Sequence, residues 1–429
     1  VQDNSEKESM PQVSPRLLIV AATTGYQTRV FEEAARGLGF EAVLATDRCH
    51  VLDNPWGDHA VPLKFDRPEA AAKALRKHAA GPFDGIVAVG DRPAYVASML
   101  AAELGLRFSP PEAVAACKNK FLARQRFFAA GLPTPRFFRI EAAADPRESA
   151  SQAFYPCVLK PTGLSVSRGV IRANHPVEFV AAFERIRALL DLPEIRKQRD
   201  AEDRFIQVEE YIEGREFALE GILEQGRFHP IALFDKPDPL EGPFFEETLY
   251  LTPSRLSGEE QRAILDASVQ AIAALGLTDG PVHAEMRLNR HGVWMLEVAN
   301  RPIGGLCARA LRFEPDQPYE QILLKAACGL NWRADRLRGG ASGVYMLPVR
   351  RDGIFTGWDG EQEARAVPGI EDVVLTAKEG QQLKPLPEGA SYLGFLFAHA
   401  ATPDQVEWAL RAAERKLIVN TNLSLPVVR

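Results

Sequence analysis

Cysteine is scarce in this chain: five in 429 residues, and no two of them form a Cys-x-x-Cys pair. An odd count without pairing pattern argues against a disulfide framework and a structural zinc, and for a reducing compartment. The eight histidines are equally patternless, with no His-x-x-x-His spacing to hold a metal from one helix face. No apolar run reaches the ~18 residues of a membrane-spanning helix, and the polar N-terminus lacks a signal-peptide core. Net charge is −6, with lysine and arginine dispersed rather than clustered, which speaks against a nucleic-acid-coating surface. No GxxxxGK[ST] occurs, so this is not a P-loop protein. The expectation is a cytoplasmic protein with neither a nucleic-acid nor a membrane partner.

What is present reads as globular. The chain is 46% hydrophobic and 25% charged, and it is longer than one core supports, so two to four domains are expected. Residues 1–15 are polar and aperiodic and read as a disordered tail. Apolar runs at 16–21, 41–46 and 85–89 alternate with helix signals at 28–38, 68–78 and 93–104. That alternation predicts a parallel α/β unit over residues 16–112. Its first turn holds one glycine where a dinucleotide fingerprint needs three. Gly90-Asp91 closes the third strand at its carboxyl end, where such sheets gather ligands, although an aspartate there is also a natural helix N-cap. After Ser109-Pro110-Pro111, one helix carrying Lys118 and Lys120 is expected to run to about Gly131. Helices are also expected at 258–276 and 318–330. A last α+β unit is expected over residues 336–429, set off near its start by Gly339-Gly340.

The chain is organised around residues 282–305. A three-residue loop, Arg290-His291-Gly292, with φ > 0 allowed at the glycine, predicts a hairpin that sets Glu285 opposite Glu297. In that register Ala284, Met286, Leu288, Trp294, Leu296 and Val298 share an apolar face. Glu285, Arg287, Asn289 and Glu297 occupy the other. Two carboxylates about 5 Å apart repel by roughly 3 kcal/mol at an effective dielectric near 20. Protonation of one, compensation by Arg287, or a cation held between them would relieve this. A solvated hairpin face is the plain alternative.

Two further stretches carry chemistry. Residues 155–161 form a buried-strand pattern ending in Lys160. Residues 162–170 then supply two glycines, Ser165 and Ser167 and no acid, a loop able to turn backbone N–H groups and hydroxyls toward an anion. A flexible turn beside a lysine whose stem lies on apolar surface accounts for the same residues. Residues 205–219 read as strand, linker, strand, with Glu209 and Glu216 seven apart.

Lys120, the Lys160 strand, the 162–170 loop, Val208-Glu209-Glu210-Tyr211-Ile212, Glu216, Glu285 and Glu297 stand in the order and spacing of the ATP-grasp superfamily. The closing residues 296–305 resemble the Glu-x-Asn-x-Arg-Pro-x-Gly-Gly signature of the L-amino-acid ligases (dipeptide synthetases of the bacilysin type) and of the biotin carboxylase-like branch. The resemblance implies an ATP-grasp fold, α/β and α+β, with the ATP-grasp domain at 113–335 and its lid at about 134–210. It implies ATP and Mg²⁺ as cofactors, with Mn²⁺ as an alternative ion. Lys120 and Lys160 would bind phosphates under a loop including Ser165, Ser167 and Gly169. Glu209 would meet the adenine amino group, the Glu210-Tyr211-Ile212 linker the adenine edge, and Glu216 the ribose. Glu285 and Glu297 would hold the metal, joined by Asn300 through a bulge or else by water, since Ala299 stands where the signature has asparagine. Arg301 and Lys160 would be catalytic, with Asp91, Glu247, Arg301, Gly304 and Gly305 toward the substrate. The dipeptide ligases often carry a histidine before a Pro-Ser turn. Residues 244–254 have none, and Glu247 or Tyr250 would fill its place.

The implied reaction is ligation of a carboxylate to an amine through an acylphosphate, with small molecules, amino acids above all, as substrates and a homodimer as an open expectation. A bicarbonate-activating carboxylase is the alternative, although no biotin-carrier Met-Lys-Met is present. A non-catalytic nucleotide-binding module is the other, weakened by retention of both lysines and both glutamates.

Overall fold

Strands buried on both faces read as unbroken apolar runs, and the first unit is built from them. The computed structural model describes residues 14–22, 26–47, 60–78, 81–198 and 200–422; residues 1–13 of the expected tail lie outside them. Here Ala60–Pro62, Glu41–Thr46, Arg16–Ala21 and Gly85–Val89 form a parallel sheet in that order. Helices Tyr26–Gly37, Pro68–His78 and Asp91–Leu104 connect or flank the strands. Gly90, at φ 100°, is the N-cap of the third helix, so Asp91 is the first helical residue rather than the cap.

The helix expected to run unbroken through Lys118 and Lys120 is two helices, Pro111–Lys118 and Lys120–Ala129. Asn119 adopts extended backbone between them, and its side chain accepts the Leu122 N–H at 3.0 Å. This N-cap satisfies a donor that a new helix leaves orphaned. The break also lets the Lys120 N–H donate to the Thr162 carbonyl, 3.2 Å away, fastening the helix to the 162–170 loop.

An eight-stranded antiparallel sheet dominates the rest. Its order is Gly292–Ala299, Gly280–Asn289, Arg215–Glu224, Arg227–Lys236, Leu249–Thr252, Ala341–Leu347, Gly394–Ala400, Ile370–Leu375. Alternate residues face opposite sides. Phe217, Leu219, Met286 and Met295 pack against Ile264, Ile272 and Leu275 of helix Gly258–Leu275, which opens on a Ser257–Glu260 capping box. Farther along, Leu251, Tyr345 and Leu396 meet Val406 and Leu410 of helix Pro403–Glu414. Ala218, Phe234, Val344 and Phe395 take the other face, in a core shared with Phe31 and with Ile322 of helix Tyr319–Ala327. The last unit is therefore not a body apart, because pairing of Leu249–Thr252 with Ala341–Leu347 carries one sheet across its expected boundary.

A separate sheet, Phe137–Glu141, Phe205–Glu210, Cys157–Pro161 and Ile171–Ala173, is backed by helix Pro176–Leu190 through Phe179, Phe183 and Ile186. It stands over the eight-stranded sheet, and the cleft between them holds the polar residues described next.

The central hairpin pairs Glu285 with Glu297, but its expected face does not form. Its turn has two residues, Arg290-His291, because Asn289 pairs with Gly292. A bulge between Glu285 and Met286 absorbs the difference, so Met286 faces Met295 and Leu288 faces Val293. An extra residue in one strand reverses the faces beyond it. Val293 and Met295 consequently enter the core with Ala284, Met286 and Val298, while Leu296 lines the cleft.

Candidate active site

The cleft is a cavity of about 530 Å³. Lys160 and the Glu209–Ile212 linker reach it from the lid, and Ser165 and Ser167 from the loop. Glu216, Glu285 and Glu297 come from the large sheet, Asp91 from the first unit, and Arg301, Gly304 and Gly305 from the segment after the hairpin. Met346 and Ala390-Ser391-Tyr392 close it from the last unit. Gly169 and Asn300 are the two expected site residues that do not line it.

Lys160 is buried beneath the linker, and burial pushes its ammonium below the usual lysine range. It pairs with Glu209, whose carboxylate also takes the Arg124 guanidinium at 3.0 Å and the Gln207 amide at 2.8 Å. Burial opposes the charge on Glu209, but Arg124 and Lys160 prevail and hold its carboxyl at about 2. Glu209, expected toward an adenine amino group, lines the cavity while its oxygens accept from three protein donors. In the linker, the Glu210 N–H donates to the Arg136 carbonyl and the Ile212 carbonyl accepts from Arg287 at 2.6 Å. The Tyr211 ring faces the cavity, with Phe245 stacked at 6.4 Å.

The 162–170 loop bends through left-handed backbone at Val166, Ser167 and Gly169 (φ 60°, 52° and 74°). A Cβ at Gly169 would lie 2.8 Å from Pro161, so only glycine fits. Its N–H donates to the Pro387 carbonyl at 2.9 Å, and those of Arg168 and Val170 bond within the loop. Gly169 therefore shapes the loop, and residues 164–167 together with Val170 face the cavity.

The hairpin carboxylates are offset, though not by Arg287. That guanidinium pairs with Glu216 at 2.9 Å. Glu285 takes His283 Nε2 at 3.0 Å and Lys236 Nζ at 3.3 Å. Burial works against its charge, but Lys236 and His283 hold the Glu285 carboxyl well below the ordinary carboxylate range. Glu297 lies 3.8 Å from Lys120 and 3.9 Å from Arg301. Lys236 also bonds Glu216 at 3.0 Å and Glu247 at 2.6 Å. Despite burial, Glu247 and Glu285 keep its ammonium well above the ordinary lysine range. Glu216, Glu247 and Glu285 each offer an oxygen within 4.8 Å of the others, a set of hard donors of the kind a divalent cation takes. The buried lysine already holds these three together.

Asn300 is not a ligand in this arrangement. Its Nδ2 donates to the Asp279 and Pro281 carbonyls at 3.1 and 2.9 Å, which turns the side chain away from the cavity. The hairpin bulge falls at Leu296 rather than at Asn300, so nothing brings Asn300 back into phase.

Arg301 forms a two-pronged pair with Asp91, Nε to Oδ1 at 2.7 Å and Nη2 to Oδ2 at 3.3 Å. Burial opposes it, yet Asp91 raises the guanidinium further above its usual range. Glu247 accepts the Tyr250 hydroxyl at 2.9 Å, and burial with nearby Glu285 pushes its carboxyl up. Gly305, at φ 63°, lies where a Cβ would come 2.8 Å from the Phe395 ring; at Gly304 a Cβ would meet nothing within 4 Å.

Sequence reading missed Arg124, Lys236, His283 and Glu220. Glu220 and Lys236 had a signal, as charged residues within or ending apolar strands, where a charge must be paired. His283 stands two residues before Glu285 and so on the same strand face.

The chain matches three family models: an ATP-grasp N-terminal domain over residues 31–107, an ATP-grasp domain over 153–310, and an L-amino acid ligase C-terminal domain 2 over 345–422. It is 28% identical to an alanine–anticapsin ligase of Bacillus subtilis over 278 residues, 61% of this chain and 58% of that protein. It is 26% identical to human carnosine synthase 1 over 77% of this chain and 42% of that one. The chain thus spans about half the length of these curated relatives. Among solved structures, an L-amino acid ligase from Bacillus licheniformis superposes with a TM-score of 0.81 at 25% identity, covering 96% of this chain and 100% of that one.

Proposed function

From the premise that this chain is an ATP-grasp protein of the L-amino-acid-ligase-like kind, we propose that it joins a carboxylate to an amine, both amino acids, with cleavage of ATP. A carboxylate oxygen attacks the γ-phosphorus, the bond to the bridging oxygen breaks, and ADP leaves. The amine nitrogen then attacks the acyl carbon of the acylphosphate. The C–O bond to phosphate breaks, and the nitrogen gives up a proton as the amide forms.

Convergence supports this reading: Lys120, Lys160 and the hairpin segment bearing Glu285, Glu297 and Arg301 reach one cavity from three separate stretches of chain. The adenine would lie along Tyr211, using the Glu210 carbonyl and the Ile212 N–H. Glu216 would hold the ribose. Lys120 and Lys160 would meet the phosphates, with Ser165 and Ser167 donating from the loop. Facing carboxylates suit a hard divalent ion, and Glu285 and Glu297 would hold magnesium, which when bound neutralises charge on the phosphates. Arg301, fixed by Asp91, would direct its remaining donors at the reacting carboxylate and stay charged while negative charge builds there.

The test is phosphate release with ATP and Mg²⁺ across pairs of amino acids. Release that needs two amino acids and yields a dipeptide by mass is expected. Release no greater than with ATP alone, for every pair, would overturn the proposal.

A further inference from the structure

Glu220 is a carboxylate with no exposure, in the middle of the apolar strand Arg215–Glu224. Its register partner on the neighbouring strand is His283, also buried. His283 Nδ1 bonds Glu220 Oε1, and its Nε2 bonds Glu285 Oε1 at 3.0 Å. The imidazole is thus held between two carboxyl groups, one on each ring nitrogen. The second oxygen of Glu220 accepts the Ile303 N–H at 3.2 Å.

One buried carboxylate therefore holds two different parts of the site. Through His283 it fixes Glu285, and through Ile303 it fixes the segment that carries Arg301, Gly304 and Gly305. Buried ion pairs are a poor way to stabilise a core, where apolar residues of the same volume do as well or better. Strand Arg215–Glu224 is otherwise packed with Phe217, Ala218, Leu219, Ile222 and Leu223, all buried. A leucine would suit position 220 if packing were its whole purpose.

We infer that Glu220 and His283 are positioning residues, holding the Glu285 carboxylate and the 301–305 segment at a fixed separation so that divalent-ion and substrate-carboxylate contacts are set together. This rests on the ligase reading for its reaction, but on the geometry alone for its effect on metal-dependent nucleotide binding. Partners that orient a metal-ligating group typically change metal affinity or activity by about 10-fold to 100-fold when removed. Lys120, Lys160 and the linker lie outside the pair, so nucleotide binding without metal should be indifferent to it.

The experiment compares wild type, Glu220→Gln and His283→Gln using a fluorescent ATP analogue with and without Mg²⁺, beside amino-acid-dependent phosphate release. Glu220→Gln keeps an oxygen for Ile303 but puts an amide in place of the carboxyl group that His283 bonds. His283→Gln removes the imidazole that bridges the two acids. Both variants should bind the analogue without metal within about twofold of wild type. They should need at least tenfold more Mg²⁺ to tighten that binding, and should lose turnover by a similar factor. Unchanged Mg²⁺ dependence in a folded variant would overturn the inference. So would failure of both variants to fold, or loss of metal-free binding in step with melting temperature, since the pair would then be purely structural. Should wild type release no phosphate with any pair, the ligase reading falls, while the Mg²⁺ titration still decides the role of Glu220 and His283.

Discussion

Glu209 carries a consequence that can be read in the stability of the protein. The unfolded chain titrates this carboxyl near 4.5, whereas in the fold Arg124 and Lys160 hold it at about 2 against the opposing effect of burial. A carboxyl lowered by folding contributes stability that is complete above about 4.5 and is lost as pH falls toward 2. The difference is worth about 3 kcal/mol. Glu209→Gln leaves two buried cations short of a counter-charge, so the variant should be less stable at neutral pH. Urea melts should show the gap between wild type and variant narrowing as pH falls from 4.5 toward 2. A gap that stays constant across that window would mean the Glu209 carboxylate carries no paired charge in the fold. Glu209 was legible in the sequence as a site residue, but its environment was not. Arg124 comes from a helix 85 residues earlier, and no local pattern announces which strand a helical arginine will meet. The same holds for Asp91 and Arg301, 210 residues apart. In each case the residues were visible singly, and their pairing belongs to the tertiary fold.

At the scale of elements, patterns of period two and 3.6 recovered much, and turn chemistry decided where they failed. The strands at 16–21, 41–46 and 85–89 matched because an apolar run flanked by helices has one reading in a parallel sheet. The hairpin at 282–299 was legible up to one residue. Whether an odd residue sits in the turn or in a bulge leaves the local pattern almost unchanged, yet it decides whether Trp294 and Leu296 or Val293 and Met295 enter the core. The helix break at Asn119 was hidden for a similar reason, since an N-cap asparagine between two lysines also fits a continuous solvated helix. The segment after the hairpin gives a paired test of its geometry. Gly305→Ala places a methyl on left-handed backbone and against the Phe395 ring, and should lose about 2 kcal/mol or more. Gly304→Ala meets open space and should melt within about 0.5 kcal/mol of wild type. Its methyl would narrow the cavity that Gly304 lines, so it should raise the KM for the amino acid while leaving ATP affinity alone. Equal melting of the two variants would mean that residue 305 is not held in left-handed backbone against the Phe395 ring.

At the scale of the whole molecule, the last unit closes the site instead of standing beside it. Continuous pairing from Leu249–Thr252 into Ala341–Leu347 makes it part of the sheet that bears Glu285. Its loop before Gly394–Ala400 then returns to the lid. Gly169 donates to the Pro387 carbonyl and Arg168 to the Glu388 carbonyl, at 2.9 and 2.8 Å. Arg185, on the helix backing the lid sheet, grips the Glu388 carboxylate with two donors, one at 2.8 Å. The loop that presents Ser165 and Ser167 is thus fastened on its outer side by residues more than two hundred positions away. An exposed ion pair contributes at most about 1 kcal/mol to global stability, so Glu388→Ala should barely move the melting temperature. Its effect should instead be local, because a loop opens at its own free energy and not at that of the fold. Releasing about 1 kcal/mol from the closed loop should raise the KM for ATP roughly fivefold. Amide exchange across residues 163–168 should quicken, while the strands Arg215–Glu224 and Gly280–Asn289 keep their protection. Salt offers an independent check, since screening weakens the same exposed pair, and wild type at 1 M salt should move toward the variant measured at low salt. Identical loop exchange in wild type and Glu388→Ala would show that the lid holds its position without the last unit. The bonds from the Arg168 side chain and the Gly169 N–H would then be a consequence of closure rather than a cause of it.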